Sequence, residues 1–203
     1  MVVVREDKSE KYPPRTYFNA KSGDVTLALA VDLTTAGEKL THKAAGEKYI
    51  GFQITKDTDP IEIARALYKF MKKRNAKTLN IAGNGIYTFA KHGWTQDEVN
   101  NFVCNVVGKV HQFWPIEKIF TGGQTGTDLA GAVIAEHLKI EALITLPKGY
   151  LQRFENNVDV VQNQEDIYNQ INHWTPILEK DQLNVKLQTE LPVNAETGKK
   201  SKI

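Results

Sequence analysis

The sequence predicts an α/β fold, doubly wound, with a mainly parallel sheet that carries helices on both faces. Three observations lead there. Strand-like and helix-like segments alternate along most of the 203 residues, the order that successive βαβ units require. Residues 25–31, Val-Thr-Leu-Ala-Leu-Ala-Val, form an almost unbroken apolar run, as a strand covered on both faces would. Glycine clusters follow two strand-like segments, at 83–85 and 122–126, where open parallel sheets place their ligand loops. A chain of this length can bury roughly two-thirds or more of its unfolded surface, so it needs no disulfide or metal to fold. Its 41% apolar and 25% charged residues belong to a globular protein.

Residues 1–23 carry Pro13-Pro14, many charges and little periodicity. They are expected to form an extended arm whose Tyr12, Tyr17 and Phe18 pack onto a single domain spanning 24–180. In that domain the first strand covers 25–33. Thr35 followed by Glu38 is a capping-box pattern and Gly46 a C-terminal stop, which predicts a helix over 36–45. A strand over 48–54 comes next. Asp59-Pro60-Ile61-Glu62 opens another helix with a capping Asp and an early Pro. Its Ile61, Ala64, Leu67, Tyr68 and Met71 share one face.

Residues 77–82 read as a strand. Thr95 and Glu98 make a further capping box. Behind it Val99, Phe102, Val103, Val106, Val107 and Val110 keep helical spacing. A strand at 118–121, a helix at 128–138 and a strand at 142–146 follow. The last helix is expected over about 164–173, ending near Thr175-Pro176. Residues 181–203 read as a polar tail, in which the alternation at 183–187 allows an edge strand first.

The sharpest candidate for chemistry is the loop Thr121-Gly122-Gly123-Gln124-Thr125-Gly126-Thr127-Asp128. Its glycines let the backbone turn tightly and bring N–H groups to a ligand. The helix behind it offers free N–H groups and a positive dipole end, a seat for phosphate. Gln124, Thr125 and Thr127 add side-chain hydrogen bonding, and Asp128 either caps the helix or grips a ribose hydroxyl. The pattern is neither a Walker A loop nor a dinucleotide fingerprint, and a ligand-free glycine turn with a capping Asp is the competing reading. A second loop holds Gly83, Asn84 and Gly85. Asn84 offers an amide, and Tyr87, Phe89, His92 and Trp94 offer aromatic surface for a base, although Phe89 and Trp94 also suit a core. A third loop brings Lys148 and Arg153, which would neutralise phosphate. Thr34, Thr35 and Lys39 or Lys43, after the first strand, would either close over the ligand or simply cap a helix.

Thr121-Gly-Gly-Gln-Thr-Gly-Thr-Asp128 resembles the second signature of the SLOG superfamily of Rossmann-like proteins, and Pro147-Lys148-Gly149 also matches. Within that group the pattern is most similar to the molybdenum carrier proteins, beside the Smf/DprA DNA-processing and LOG phosphoribohydrolase branches. The motifs cover about residues 77–155 and leave 1–76 unexplained. The resemblance implies a Rossmann-like fold and a nucleotide-like ligand between the two glycine loops. The hydrolase branch carries a Glu where this chain has Ala130, so Asp128 or Glu38 would have to act as catalytic acid or base.

These readings favour binding of a nucleotide-derived small molecule, ADP-ribose-like or a cyclic nucleotide. The protein would sense or sequester it, for instance as a viral sponge for a host immune signal. Hydrolysis of an N-glycosidic or phosphate bond is the alternative. Binding of single-stranded nucleic acid comes third, since a net charge of +2 gives little basis for a basic groove. No cofactor beyond that ligand is expected, and no metal, because His42, His92, His111, His137 and His173 lack ligand spacing. A lone Cys104 and the short valine run at the start predict a cytoplasmic protein without a signal peptide or membrane segment. A homo-oligomer is expected, with Tyr68, Phe70 and Trp174 as candidate contacts.

Overall fold

The computed structural model of the chain describes residues 1–190. Its first elements differ from expectation. Val2–Glu6 is a strand, β1, and Tyr12–Ser22 a helix, α1, so residues 1–23 are not an extended arm. Pro13 and Pro14 are tolerated because the first helical turn has no intrahelical N–H bonds to lose. Strand β1 pairs in parallel with Glu141–Leu146, β6, placing Val4 opposite Ile144. Such a partner lies too far along the chain for local periodicity to reveal it.

The remaining elements are β2 (Val25–Ala30), α2 (Ala36–Ala45), β3 (Tyr49–Gln53), α3 (Pro60–Arg74), β4 (Thr78–Gly83), α4 (Ile86–Ala90), α5 (Gln96–Phe113), β5 (Lys118–Thr121) and α6 (Thr127–His137). After β6 come a small antiparallel hairpin, β7 (Gln152–Arg153) with β8 (Asp159–Val160), and α7 (Gln164–Glu190). The capping boxes act as expected. Thr35 accepts the Glu38 N–H at 3.3 Å, and Thr95 and Glu98 cap each other reciprocally. Helix α4 and the hairpin were not expected. Helix α7 runs through Pro176, which replaces the expected stop near 175 and the edge strand at 183–187 by helix. The Thr175 hydroxyl bonds the Ile171 carbonyl at 2.8 Å in that turn. The rest of the expected tail, 191–203, lies outside the described residues.

The six main strands form an all-parallel sheet in the order β1-β6-β5-β4-β2-β3. The fold is Rossmann-like α/β. Helices α1 and α2 pack together on one face, while α3, α5, α6 and α7 pack in succession on the other. Tyr68, Phe70 and Trp174, the expected oligomer contacts, are half-buried against the core. No helix among the described residues is long and apolar enough to cross a membrane. From β2 the chain goes outward to β3, then returns past β2 to β4, so the winding direction reverses between β2 and β4. In open sheets that reversal splays the loops apart and leaves a crevice at the strands' carboxyl ends.

Close contact at the crevice is enforced by Gly83. A Cβ there would stand 2.0 Å from the Leu29 carbonyl oxygen and 2.4 Å from Thr127 Oγ1, two atoms already joined by a 2.9 Å hydrogen bond. Gly83→Ala is therefore expected to cost about 2–3 kcal/mol of stability. Urea unfolding checks this, and an unshifted midpoint would show that the loop relaxes freely.

Candidate functional site

A cavity of about 450 Å³ opens at the reversal point. Its walls come from Tyr12, Arg15 and Asn19 on α1; Glu38 and Thr41 on α2, with its cap Thr35; Asn80 and Gly83 on β4; Asn84, Gly85 and Tyr87 where β4 leads into α4; Gly122, Gln124 and Asp128 where β5 leads into α6; and Arg153 on β7. Buried polar groups gather here. Glu38, Asn19 and Asn80 are 3%, 3% and 2% exposed. Glu38 Oε2, both amide atoms of Asn19, Asn80 Oδ1 and Arg15 Nε have no hydrogen-bond partner in the protein. Polar atoms buried in this state ordinarily cost stability, and all of these atoms belong to residues that line this one cavity.

Arg15 Nη1 lies 2.8 Å from Asp128 Oδ2. The backbone N–H groups of Gln124 and Gly83 also donate to the Asp128 carboxylate. Burial pushes this carboxyl up, against the pull of Arg15 and the amides. Gly122 admits the guanidinium: a Cβ there would fall 1.6 Å from Arg15 Nη1. Glu38 has no such support. Burial, then the charges of Asp128 and Asp32, raise its pKa to about 8, so it is a neutral acid at pH 7. Among the described residues, no three His, Cys, Asp or Glu are grouped to hold a metal ion.

Residues 2–103 match the family profile of the circularly permutated YpsA SLOG family. The chain belongs to this family. No curated protein matches it significantly. In the sheet of this SLOG protein the first strand, β1, stands beyond β6 at the far edge. The profile takes in residues 2–76, which the motifs left unexplained, and stops before the 121–128 signature. Membership points to a nucleotide-related binding or processing role.

The structure sorts the expected site residues of this SLOG chain into two groups. Gly83, Asn84, Gly85, Tyr87, Gly122, Gln124, Asp128, Arg153, Thr35 and Glu38 line the cavity. Gly123, Thr125, Gly126 and Thr127 do not, because their polar groups serve the fold. The Thr125 hydroxyl donates to the Arg153 carbonyl, the Gly126 N–H to Gln96 Oε1 at 2.6 Å, and the Thr127 N–H to the Asn84 carbonyl at 3.1 Å. Gly123 accepts from Gln152 through its carbonyl. Part of the donor set of this loop is thus engaged internally: the Gly126 and Thr127 N–H groups and the Thr125 and Thr127 hydroxyls.

Asn84 reaches the cavity wall with its amide engaged, accepting from the Asp32 N–H and donating to the Asp32 carbonyl. Phe89 and Trp94 are core, stacked edge-on at 5.6 Å, and His92 is exposed. Thr34 folds back on Asp32. Lys39 and Lys148 are exposed and outside the cavity lining. Sequence reasoning missed Arg15, Asn19 and Asn80. The polar Asn80 inside an otherwise apolar strand was a usable signal; Arg15 and Asn19 were hidden with α1.

Proposed function

We propose that this protein binds a nucleotide-derived small molecule, such as an ADP-ribose-like species or a cyclic nucleotide, in the cavity at the β2/β4 reversal, and that it senses or sequesters it. The observation that carries this reading is the set of buried, unpartnered donors and acceptors borne by residues that line one cavity. Hydroxyls and ring nitrogens of a nucleoside would satisfy them together, whereas a bare phosphate offers acceptors to only some. A volume of about 450 Å³ suits a small molecule, for which sites run roughly 300–1,000 Å³. Arg15 and Arg153 are paired with Asp128 and Asp159, and the N–H groups those pairs leave over, such as the unpartnered Arg15 Nε, would donate to phosphate. Tyr87 adds an aromatic face. Retention is favoured over turnover because the Asp128 carboxylate is engaged by Arg15 and two amides, leaving Glu38 as the cavity carboxyl able to move a proton.

Glu38 favours one second reading. A neutral acid with a pKa of about 8 could protonate a departing base during N-glycosidic cleavage. Native mass spectrometry of the purified protein, followed by incubation with AMP, ADP-ribose, NAD and cyclic nucleotides, tests both readings. A nucleotide bound and released intact supports sequestration. Release of free base, falling above about pH 8 and lost in Glu38→Gln, supports hydrolysis. Neither binding nor turnover at millimolar nucleotide would sink both.

A further inference from the structure

The reading above leaves open what the innermost end of the cavity recognises. Three asparagines reach its walls, and they differ in what their amides are doing. Asn84 has its oxygen and nitrogen engaged with the Asp32 backbone, so it holds two loops together. Asn19 is 3% exposed, yet neither its amide oxygen nor its amide nitrogen has a partner. Asn80 donates through Nδ2 to Thr26 Oγ1 at 3.2 Å, which fixes the side chain and leaves Oδ1 unpartnered. Both residues line the same cavity, where the end of α1 packs on β4: Gly23 bonds back to the Asn19 backbone carbonyl at 3.3 Å, and a Cβ on Gly23 would lie 2.8 Å from the Asn80 backbone nitrogen.

We propose that Asn19 and Asn80 form a subsite that recognises a nucleobase by an amino group beside a ring nitrogen, as in adenine or cytosine. A primary amide presents a donor next to an acceptor, and the matching edge offers an acceptor next to a donor. Asn19 Nδ2 donates to the ring nitrogen, and Asn19 Oδ1 accepts one amino hydrogen. The second amino hydrogen goes to Asn80 Oδ1. The unpartnered Asn19 amide can turn over to meet either edge. A base with a keto oxygen in place of the amino group sets oxygen against oxygen at Asn80 Oδ1, which the bond to Thr26 holds in place. That mismatch makes the subsite selective, because a buried acceptor left facing another acceptor loses its hydrogen bond and gains repulsion. The proposal rests on the nucleotide-binding reading and goes further, from a class of ligand to a class of base.

Isothermal titration calorimetry of the full chain with AMP, IMP, CMP, UMP and ribose 5-phosphate tests it. The amino member of at least one pair, AMP over IMP or CMP over UMP, is expected to bind about 10- to 100-fold tighter. Asn80→Leu, close in shape, should bring that pair to within about threefold, and Asn80→Ala serves the same comparison if the Leu variant fails to fold. Asn19→Leu should weaken both members of the pair. Because the Asn19 amide is unpartnered in the free protein, that variant should also unfold no earlier than the parent, a result that a purely structural asparagine would not give. Equal affinity within both pairs, or a preference that survives the Asn80 substitution, overturns the subsite and leaves the wider reading standing where ribose 5-phosphate still binds. Binding of none of the five overturns both.

Discussion

Replacing Arg15 by Met is expected to lower the unfolding free energy by about 3–5 kcal/mol, the usual cost of stranding one member of a buried ion pair. The side chains of Arg15 and Asp128 are 11% and 7% exposed, so water cannot take over the lost contact. The guanidinium also fills the space that Gly122 leaves open, and its removal leaves a gap beside the glycine loop. Asp128→Asn in the same chain should recover part of the loss, because a neutral amide no longer needs the cation while its oxygen still accepts a backbone N–H. Urea unfolding of the two variants measures this directly. A loss below 1 kcal/mol for Arg15→Met would mean that the pair is solvated and that α1 does not clamp the loop.

Glu38→Gln should act in the opposite direction, and only over part of the pH range. An ordinary glutamate ionises near pH 4.5, whereas Glu38 in the folded protein does so at about pH 8. Between those values the unfolded chain sheds a proton that the folded protein keeps, so stability falls as pH rises. Below pH 4.5 both states hold the proton and nothing is lost. Above pH 8 both have released it and the loss levels off. At about 1.4 kcal/mol per pH unit, the parent should be on the order of 5 kcal/mol less stable than it would be with a neutral side chain here. The Gln variant should match the parent near pH 4 and surpass it increasingly toward pH 8. Parallel stability curves would show that Glu38 ionises normally and that its proton is unavailable for chemistry.

The sheet was legible where elements carry their own pattern. Strands β2 to β6 and helices α2, α3, α5 and α6 announce themselves through apolar runs, capping residues and three–four spacing. Strand β1 does not, since three valines mean little until β6 lies beside them. Losing β1 also hid α1, and with it Arg15 and Asn19. Within the site, residue types on the right loops were visible: Glu38, Gly83, Tyr87, Gln124 and Asp128 all reach the cavity. Which way their hydrogen-bonding groups point was not. The loop at 122–127 has the composition of a phosphate cradle, yet the Gly126 and Thr127 N–H groups serve Gln96 and Asn84, and the Thr125 and Thr127 hydroxyls serve Arg153 and Leu29. Composition reports what a loop could donate; the packing around it decides to whom.

The place of β1 beyond β6 also sets an order of events when the chain is made. Synthesis runs from the amino end, so β1 and α1 leave the ribosome before any partner of β1 exists. Val4 waits for Ile144 and Arg15 for Asp128, more than a hundred residues later. At roughly 5–20 residues per second that is a delay on the order of 10 s. During it a valine-rich edge and an unpaired cation are left without their native contacts. The cavity can therefore be completed only after β6 and Asp128 have been made, when β1 and α1 pack back onto elements that follow them in the chain.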